Sequence, residues 1–190
     1  MTRIVAGALG GRRLTVPAGD RTRPTSDRVR EALFSTLSSL VDLSGARFAD
    51  LYAGSGAVGL EALSRGAERV LLVEADPKVA RVARQNVAAL SAGHAVRLVV
   101  GRVAQVLAGG PAGLDGTPYD VVFADPPYAV PEDELTATLA ALVGGGWLAS
   151  DAVVAVERSS RSPAPVWVPG LTPERSRRYG ETTLWYGRRS

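Results

Sequence analysis

Asp125-Pro126-Pro127-Tyr128, closing the apolar run Val121-Val122-Phe123-Ala124, combines residue types that could do chemistry at this spacing. Pro-Pro supplies no backbone donor and ends a regular element. Each proline locks its own φ and biases the residue before it toward extended conformations. Asp125 and the Pro126 carbonyl are therefore two acceptors at a fixed spacing, which suits a planar NH2 group. Tyr128 adds a flat face on which a base can stack, worth roughly 1–3 kcal/mol per base. The plain alternative is a strand stopped by a proline turn with a surface tyrosine, and four residues alone do not separate the two.

A second constellation lies upstream. Arg47-Phe48-Ala49-Asp50-Leu51-Tyr52 reads as a strand entering Ala53-Gly54-Ser55-Gly56-Ala57-Val58-Gly59, and Leu60-Glu61-Ala62-Leu63-Ser64 continues as a helix. This is G-x-G-x-x-G in its strand-loop-helix context, a cofactor loop. Glu74 falls twenty residues after Gly54, where a ribose hydroxyl ligand is expected. Nicotinamide, flavin and S-adenosylmethionine proteins share such a loop, so the acidic residues must discriminate. A dinucleotide would bring its pyrophosphate close to Asp50, an unfavourable pairing. S-adenosylmethionine brings an ammonium and a sulfonium, which Asp50 complements, while Glu74 accepts from the ribose hydroxyls. Asp50, Tyr52, Gly54, Ser55, Gly56 and Glu74 are thus candidate cofactor residues.

These residues need a scaffold. Arg3-Ile4-Val5-Ala6 and Arg12-Arg13-Leu14-Thr15-Val16, separated by a Gly7–Gly11 turn region, predict a hairpin arm. Thr25 or Ser26 is the expected N-cap of a helix with Val29, Leu33, Leu37 and Leu40 on one face, and with Arg28, Arg30 and Glu31 off it. Further strands are expected at Arg69 to Glu74, Val96 to Val100, Tyr119 to Asp125 and Ala152 to Glu157. Helices are expected from Pro77 to about Leu90 behind an Asp76 cap, over Arg102 to Leu107, and near Asp133 to Val143. Val166-Trp167-Val168 and Thr182 to Tyr186 read as a terminal β pair, joined by the basic Arg175-Ser176-Arg177-Arg178-Tyr179. Regular βα alternation predicts an open, mostly parallel sheet with helices on both faces. Ligands in such a sheet lie outside the carboxyl ends of the strands where strand order reverses, here between the strands ending in Asp50 and Asp125. Donor loop and amine clamp therefore converge, which predicts a methyltransferase.

The chain has 190 residues and no cysteine, excluding disulfides and zinc-thiolate sites, and its single histidine cannot build a His-rich metal site. No metal is expected. No apolar run approaches the ~20 residues of a membrane span, so a cytoplasmic protein with no membrane contact is the expectation. Charge is unevenly spread: residues 1–30 carry net +5, residues 173–190 net +3, and the rest net −5. Basic ends suit a polyanion, and an acidic body suits a cationic small molecule. Arg3, Arg12, Arg13, Arg21, Arg23, Arg28 and Arg30 are the candidate RNA contacts.

The runs Arg23-Pro24-Thr25-Ser26-Asp27-Arg28-Val29-Arg30-Glu31-Ala32-Leu33-Phe34, Asp50 through Ala67, and Asp125-Pro126-Pro127-Tyr128 closely resemble the bacterial 16S ribosomal RNA guanine-N2 methyltransferase family of RsmD type. The resemblance extends from Arg3 to Tyr186. It implies an α/β, class I S-adenosylmethionine-dependent methyltransferase fold: Rossmann-like, with a mostly parallel seven-stranded sheet, a terminal antiparallel strand and an N-terminal β-hairpin arm. The arm would be residues 1–22 and the methyltransferase domain residues 23–190. The implied reaction is methylation of a guanine N2 in 16S rRNA, guanine 966 in conventional rRNA numbering. The implied partner is a 30S subunit or assembly intermediate, with the enzyme a monomer. Asp125, Pro126 and Tyr128 carry the chemistry in this reading. Where similar proteins have an acidic residue near the cofactor adenine, this chain has Gly101-Arg102-Val103, which leaves that contact to backbone groups around Arg102 and Val103. The alternatives are amine methylation of adenine N6 or cytosine N4 in DNA or RNA, a non-enzymatic RNA-binding assembly factor, and a nicotinamide oxidoreductase.

Overall fold

The computed structural model describes residues 2–19 and 25–190, so the candidate contacts Arg21 and Arg23 lie outside the described residues. In chain order the elements begin with β1 (Thr2–Arg3), β2 (Arg13–Leu14), α1 (Asp27–Leu40), β3 (Arg47–Asp50), α2 (Ala57–Ser64), β4 (Arg69–Glu74), α3 (Pro77–Ala89) and β5 (Val96–Val100). They continue with α4 (Val103–Ala108), a 3-10 turn at Pro111–Gly113, β6 (Tyr119–Ala124), α5 (Glu132–Gly144), β7 (Leu148–Ser159), β8 (Leu171–Tyr179) and β9 (Thr182–Arg189).

Seven strands form one sheet in the order β5-β4-β3-β6-β7-β9-β8. The first five are parallel, and the β8–β9 hairpin adds antiparallel to β7. Successive strand residues point to opposite faces, so an apolar run supplies two cores at once. Phe48, Val70, Leu72, Val121, Phe123, Val153 and Ala155 pack with Val29, Leu33, Phe34 and Leu37 of α1 on one face. Ala49, Leu71, Val73, Val122, Val154 and Val156 pack with Leu107 of α4 and Leu135, Leu139 and Leu142 of α5 on the other. The chain moves outward from β3 through β4 to β5, then returns to the other side of β3 as β6. Strand order therefore reverses between β3 and β6, as the sequence predicts.

The arm is a short antiparallel ladder, Thr2 opposite Leu14 and Arg3 opposite Arg13, and it lies on the body. Ile4 and Leu14 are buried against Ala57 and Leu60 of α2 and against Leu90 and Ala92. Glu61 of α2, fully buried, accepts from the N–H groups of Val5 at 2.7 Å and Ala6 at 3.1 Å. Asn86 of α3 accepts from Thr15 N–H and donates to the carbonyls of Thr15 and Ser55, tying the arm to the glycine loop.

Two expectations need correction. Arg30, expected off the apolar stripe and among the RNA contacts, is 0% exposed. Its guanidinium is spent on Glu61 Oε1 at 3.2 Å, Asp27 Oδ1 at 2.9 Å, Thr2 Oγ1 and the Arg3 carbonyl, so it cannot reach an RNA. A charged residue can occupy the inner face of a helix when a carboxylate waits there, and helical periodicity alone does not record that. The second correction is at the C-terminus. Val166 to Val168 form no strand, and the basic stretch expected as a connection is itself the second half of β8. β8 is an edge strand whose residues 172–178 are exposed, so it carries no apolar alternation to read. No helix among the described residues is long and apolar enough to cross a membrane.

Candidate active site

Parallel register places one carboxylate at or just beyond the carboxyl end of each of four neighbouring strands: Glu74 on β4, Asp50 on β3, Asp125 after β6 and Glu157 on β7. All four line a single cleft of about 1120 Å³ that also includes Thr25, Tyr52, Gly54, Ser55, Arg102, Val103, Pro126, Tyr128 and Tyr179. The space exceeds the usual range for one small ligand and can hold two side by side. Among the described residues, no cluster of His, Cys, Asp or Glu has the arrangement of a metal site.

The glycine loop works by backbone geometry. Gly54 (φ +56°) and Gly56 (φ +86°) take left-handed conformations that cost other residues energy. Gly56 is also the N-cap of α2. A Cβ on Gly59 would sit 2.4 Å from Leu72 Cδ2 and 2.9 Å from Val70 Cγ1, so only glycine lets α2 approach β4 this closely. Glu74 pins the loop: Oε2 accepts from Gly54 N–H at 2.9 Å and Oε1 from Asp76 N–H at 3.1 Å. A carboxylate has about four lone-pair sites, so both oxygens retain acceptor capacity toward the cleft.

Asp50 is 1% exposed, and its Oδ1 has no hydrogen-bond partner. Burial pushes its carboxyl up to about 7, partly offset by the N–H groups of Gly59 and Tyr52, while Glu74 and Glu157 push it further up. A buried acceptor without a donor calls for a cation or an N–H from a ligand. Asp50, the loop glycines and Glu74 could therefore hold the ammonium and ribose of S-adenosylmethionine, and the acidic row suits that cation where it would repel a pyrophosphate. At the other end Arg102 is exposed and Val103 buried, both lining the cleft, as does Ser55. Tyr52 lines the same wall, its phenol pushed up by burial.

Asp125 and Pro126 stand next to Asp50 across the β3–β6 junction, and Val130 N–H donates to the Pro127 carbonyl, closing the turn that presents Tyr128. Tyr128 is 67% exposed at the rim, a free face for a base. Burial first, then Glu157 and Asp50, hold the Asp125 carboxyl well above the usual carboxylate range. Sequence reasoning missed Thr25 and Glu157 as site residues. Thr25 Oγ1 lies 3.1 Å from Glu157 Oε2 and 3.5 Å from Asp125 Oδ2, and Glu157 is 8% exposed, with burial pushing it up to about 7. The available signal was a carboxylate ending an apolar strand, the pattern that marked Asp50 and Glu74.

Arg3, Arg12, Arg13 and Arg28 are exposed on the arm and the first turn of α1, Arg12 donating to the Ala89 carbonyl at 2.8 Å. On β8, Arg175 pairs opposite Tyr186 and Arg177 opposite Leu184. Paired residues share a face, so these two arginines lie on the α1 side, in line with Tyr179 at the cleft.

Residues 2–188 match the family model described as "Conserved hypothetical protein 95". "Ribosomal RNA small subunit methyltransferase D" of Escherichia coli strain K12 is 41% identical over 163 residues, 86% of this chain and 77% of that protein. The protein of the same name from Haemophilus influenzae is 34% identical over 172 residues, 90% of this chain and 83% of that one. A solved structure, "Putative methyltransferase yhhF from Escherichia coli", superposes with a TM-score of 0.85 at 36% identity, covering 99% of this chain and 97% of the other.

Proposed function

The chain belongs to the family described as conserved hypothetical protein 95, and from that membership and the site we propose that it methylates the N2 amine of a guanine in small-subunit ribosomal RNA. It is a class I methyltransferase that uses S-adenosylmethionine. The observation that carries the reading is the single cleft in which Asp50, with its unpartnered oxygen, stands beside Asp125 and Pro126 at the strand-order reversal.

S-adenosylmethionine supplies a methyl group made electrophilic by the attached sulfonium. The protein's part is to make an amine attack it. An exocyclic base amine is a poor nucleophile because its lone pair is delocalised into the ring, and it must leave its stack to be reached. Asp125 and the Pro126 carbonyl accept the two amine hydrogens, turn the lone pair toward the methyl and stabilise the positive charge that grows on nitrogen. Tyr128 receives the splayed base on its exposed ring. Asp50 orients the donor's cationic end, Glu74 its ribose, and Arg102 and Val103 border its adenine. Residues 1–22 act as an RNA-contacting arm on a methyltransferase domain of residues 23–190, with Arg3, Arg12, Arg13 and Arg28 available to phosphates. The substrate in this reading is rRNA within a 30S particle or assembly intermediate, and the enzyme works as a monomer.

The test is the identity of the modified nucleoside. Small-subunit rRNA from cells lacking the protein should lack one N2-methylguanine that returns on complementation with the wild type and not with Asp125→Ala. Appearance instead of N6-methyladenine or N4-methylcytosine would assign a different base. Near-wild-type turnover by Asp125→Ala would remove that residue from the chemistry.

A further inference from the structure

Glu157 has no role in the mechanism above, yet it is the site's most conspicuous neighbour. It lies on β7 beside the end of β6, is almost wholly buried, and shares the Thr25 hydroxyl with Asp125. That hydroxyl carries one hydrogen and faces two carboxyl oxygens. If both carboxyls were ionised, Thr25 could donate to only one, and the other contact would set oxygen lone pairs against a charge. The geometry is satisfied when the pair keeps one proton: Thr25 then donates to the ionised carboxylate and accepts from the protonated one. Two carboxyls held this close in a buried cleft cannot both ionise cheaply.

We infer that Glu157, acting through the Thr25 hydroxyl, is the positioning residue that makes Asp125 a base, and that the three side chains form the unit receiving the amine proton. The inference rests on the proposed amine methylation. In that step the N–C bond forms as the S–C bond breaks, its electron pair remaining on sulfur. The N–H pair stays on nitrogen while the proton passes to Asp125, and the Asp125–Glu157 unit afterwards releases one proton to water. Burial raises the proton affinity of both carboxyls, and sharing one proton through Thr25 leaves Asp125 ionised and free to accept, which suits a nucleophile as weak as a base amine.

The groups facing this unit come from four directions. Asp50 on β3 adds repulsion to Asp125, Arg158 on β7 opposes it, Thr25 precedes α1, and Tyr186 on β9 faces Glu157. Arg158 is itself engaged by Glu132 at 2.7 Å and by the Val130 carbonyl at 3.2 Å, so it is only partly available to neutralise the pair.

The experiment is the pH profile of kcat for wild type and E157Q, with T25V and T25S beside it. Glutamine keeps a polar group near Thr25 but cannot hold the proton. In E157Q the acidic limb should become a single ionisation and move down by about one pH unit or more, with plateau kcat falling roughly tenfold and KM for donor and RNA little changed. T25V should lower kcat and T25S restore it. Asp50 titrates nearby and Glu157 is one of the charges that raise it, so donor affinity is followed against pH as well, and its midpoint should move down in E157Q by less than the acidic limb of kcat does. A profile of E157Q superimposable on wild type, or full activity of T25V, overturns the inference. Should E157Q fail to fold, the T25V and T25S comparison still decides. Donor-free protein gives a readout independent of turnover: E157Q should gain thermal stability over wild type above about pH 7, because an ionised buried carboxylate has been removed. A wild type that methylates no guanine amine would instead defeat the proposed reaction, while leaving that stability difference in place.

Discussion

Asp50 concentrates the electrostatics of the proposed donor site in one side chain. Its folded carboxyl keeps its proton up to about 7, while in the unfolded chain it ionises near 4. Between those values the folded state binds more protons, so this group's contribution to stability is present at low pH and lost as pH rises toward 7. Asp50→Asn should therefore raise the melting temperature of donor-free protein at pH 8 by several degrees, with little change at pH 4, as read by scanning calorimetry. Only the carboxylate complements a cation, so donor affinity of the wild type should climb with pH through about 7. In Asp50→Asn the affinity should fall at least about tenfold and lose that pH dependence, measured by isothermal titration.

The arm, α1 and α2 are joined by a buried ionic strut. Glu61 accepts from two arm N–H groups, from Arg30 Nε at 3.2 Å and from Arg65 Nε at 3.0 Å, using both oxygens fully. Arg30 Nη1 also donates to the Thr25 carbonyl at 3.4 Å, so the strut that holds the arm also holds the threonine that enters the site. Breaking a buried pair by removing one partner typically costs about 3–5 kcal/mol, because the remaining charge is stranded. Arg65 still faces Glu61, which places Arg30→Met near the lower end, a loss of roughly 6–12 °C in melting temperature for a chain this long. The double variant Arg30→Met/Glu61→Leu should recover part of that loss in the same thermal scan.

Charge around the cleft is unevenly placed. The cleft holds a row of acids, while exposed arginines sit on the arm, at the start of α1 and along the α1 side of β8. An RNA backbone approaching the cleft meets positive charge, and a cationic cosubstrate inside it meets negative charge. Arg12→Gln/Arg13→Gln and Arg175→Gln/Arg177→Gln should each weaken rRNA binding and make its salt dependence shallower, by up to roughly 0.7 for every single-strand phosphate that is no longer neutralised. Filter binding across a salt series measures this. Donor affinity should be unchanged in both, since neither pair lines the cleft.

What could be read from residue order alone is what local physics controls. The glycine loop, the Asp76–Pro77 helix start, the β3 to β6 apolar runs and the proline-locked acceptors each depend on neighbours a few residues away, and each has a characteristic period or cap. Asp50, Glu74 and Asp125 could be picked out because each carboxylate ends an apolar strand beside a recognisable loop or turn. The register of distant strands decided the rest. Thr25 and Glu157 stand 132 residues apart, and only pairing β7 beside β6 brings the second carboxyl to the first. Arg30 belongs to the interior because Glu61 of another helix is there to receive it, and β8 is a strand because β9 offers its hydrogen-bonding edge. Charge burial and edge pairing depend on partners supplied by the assembled fold, so periodicity within one segment leaves no trace of them.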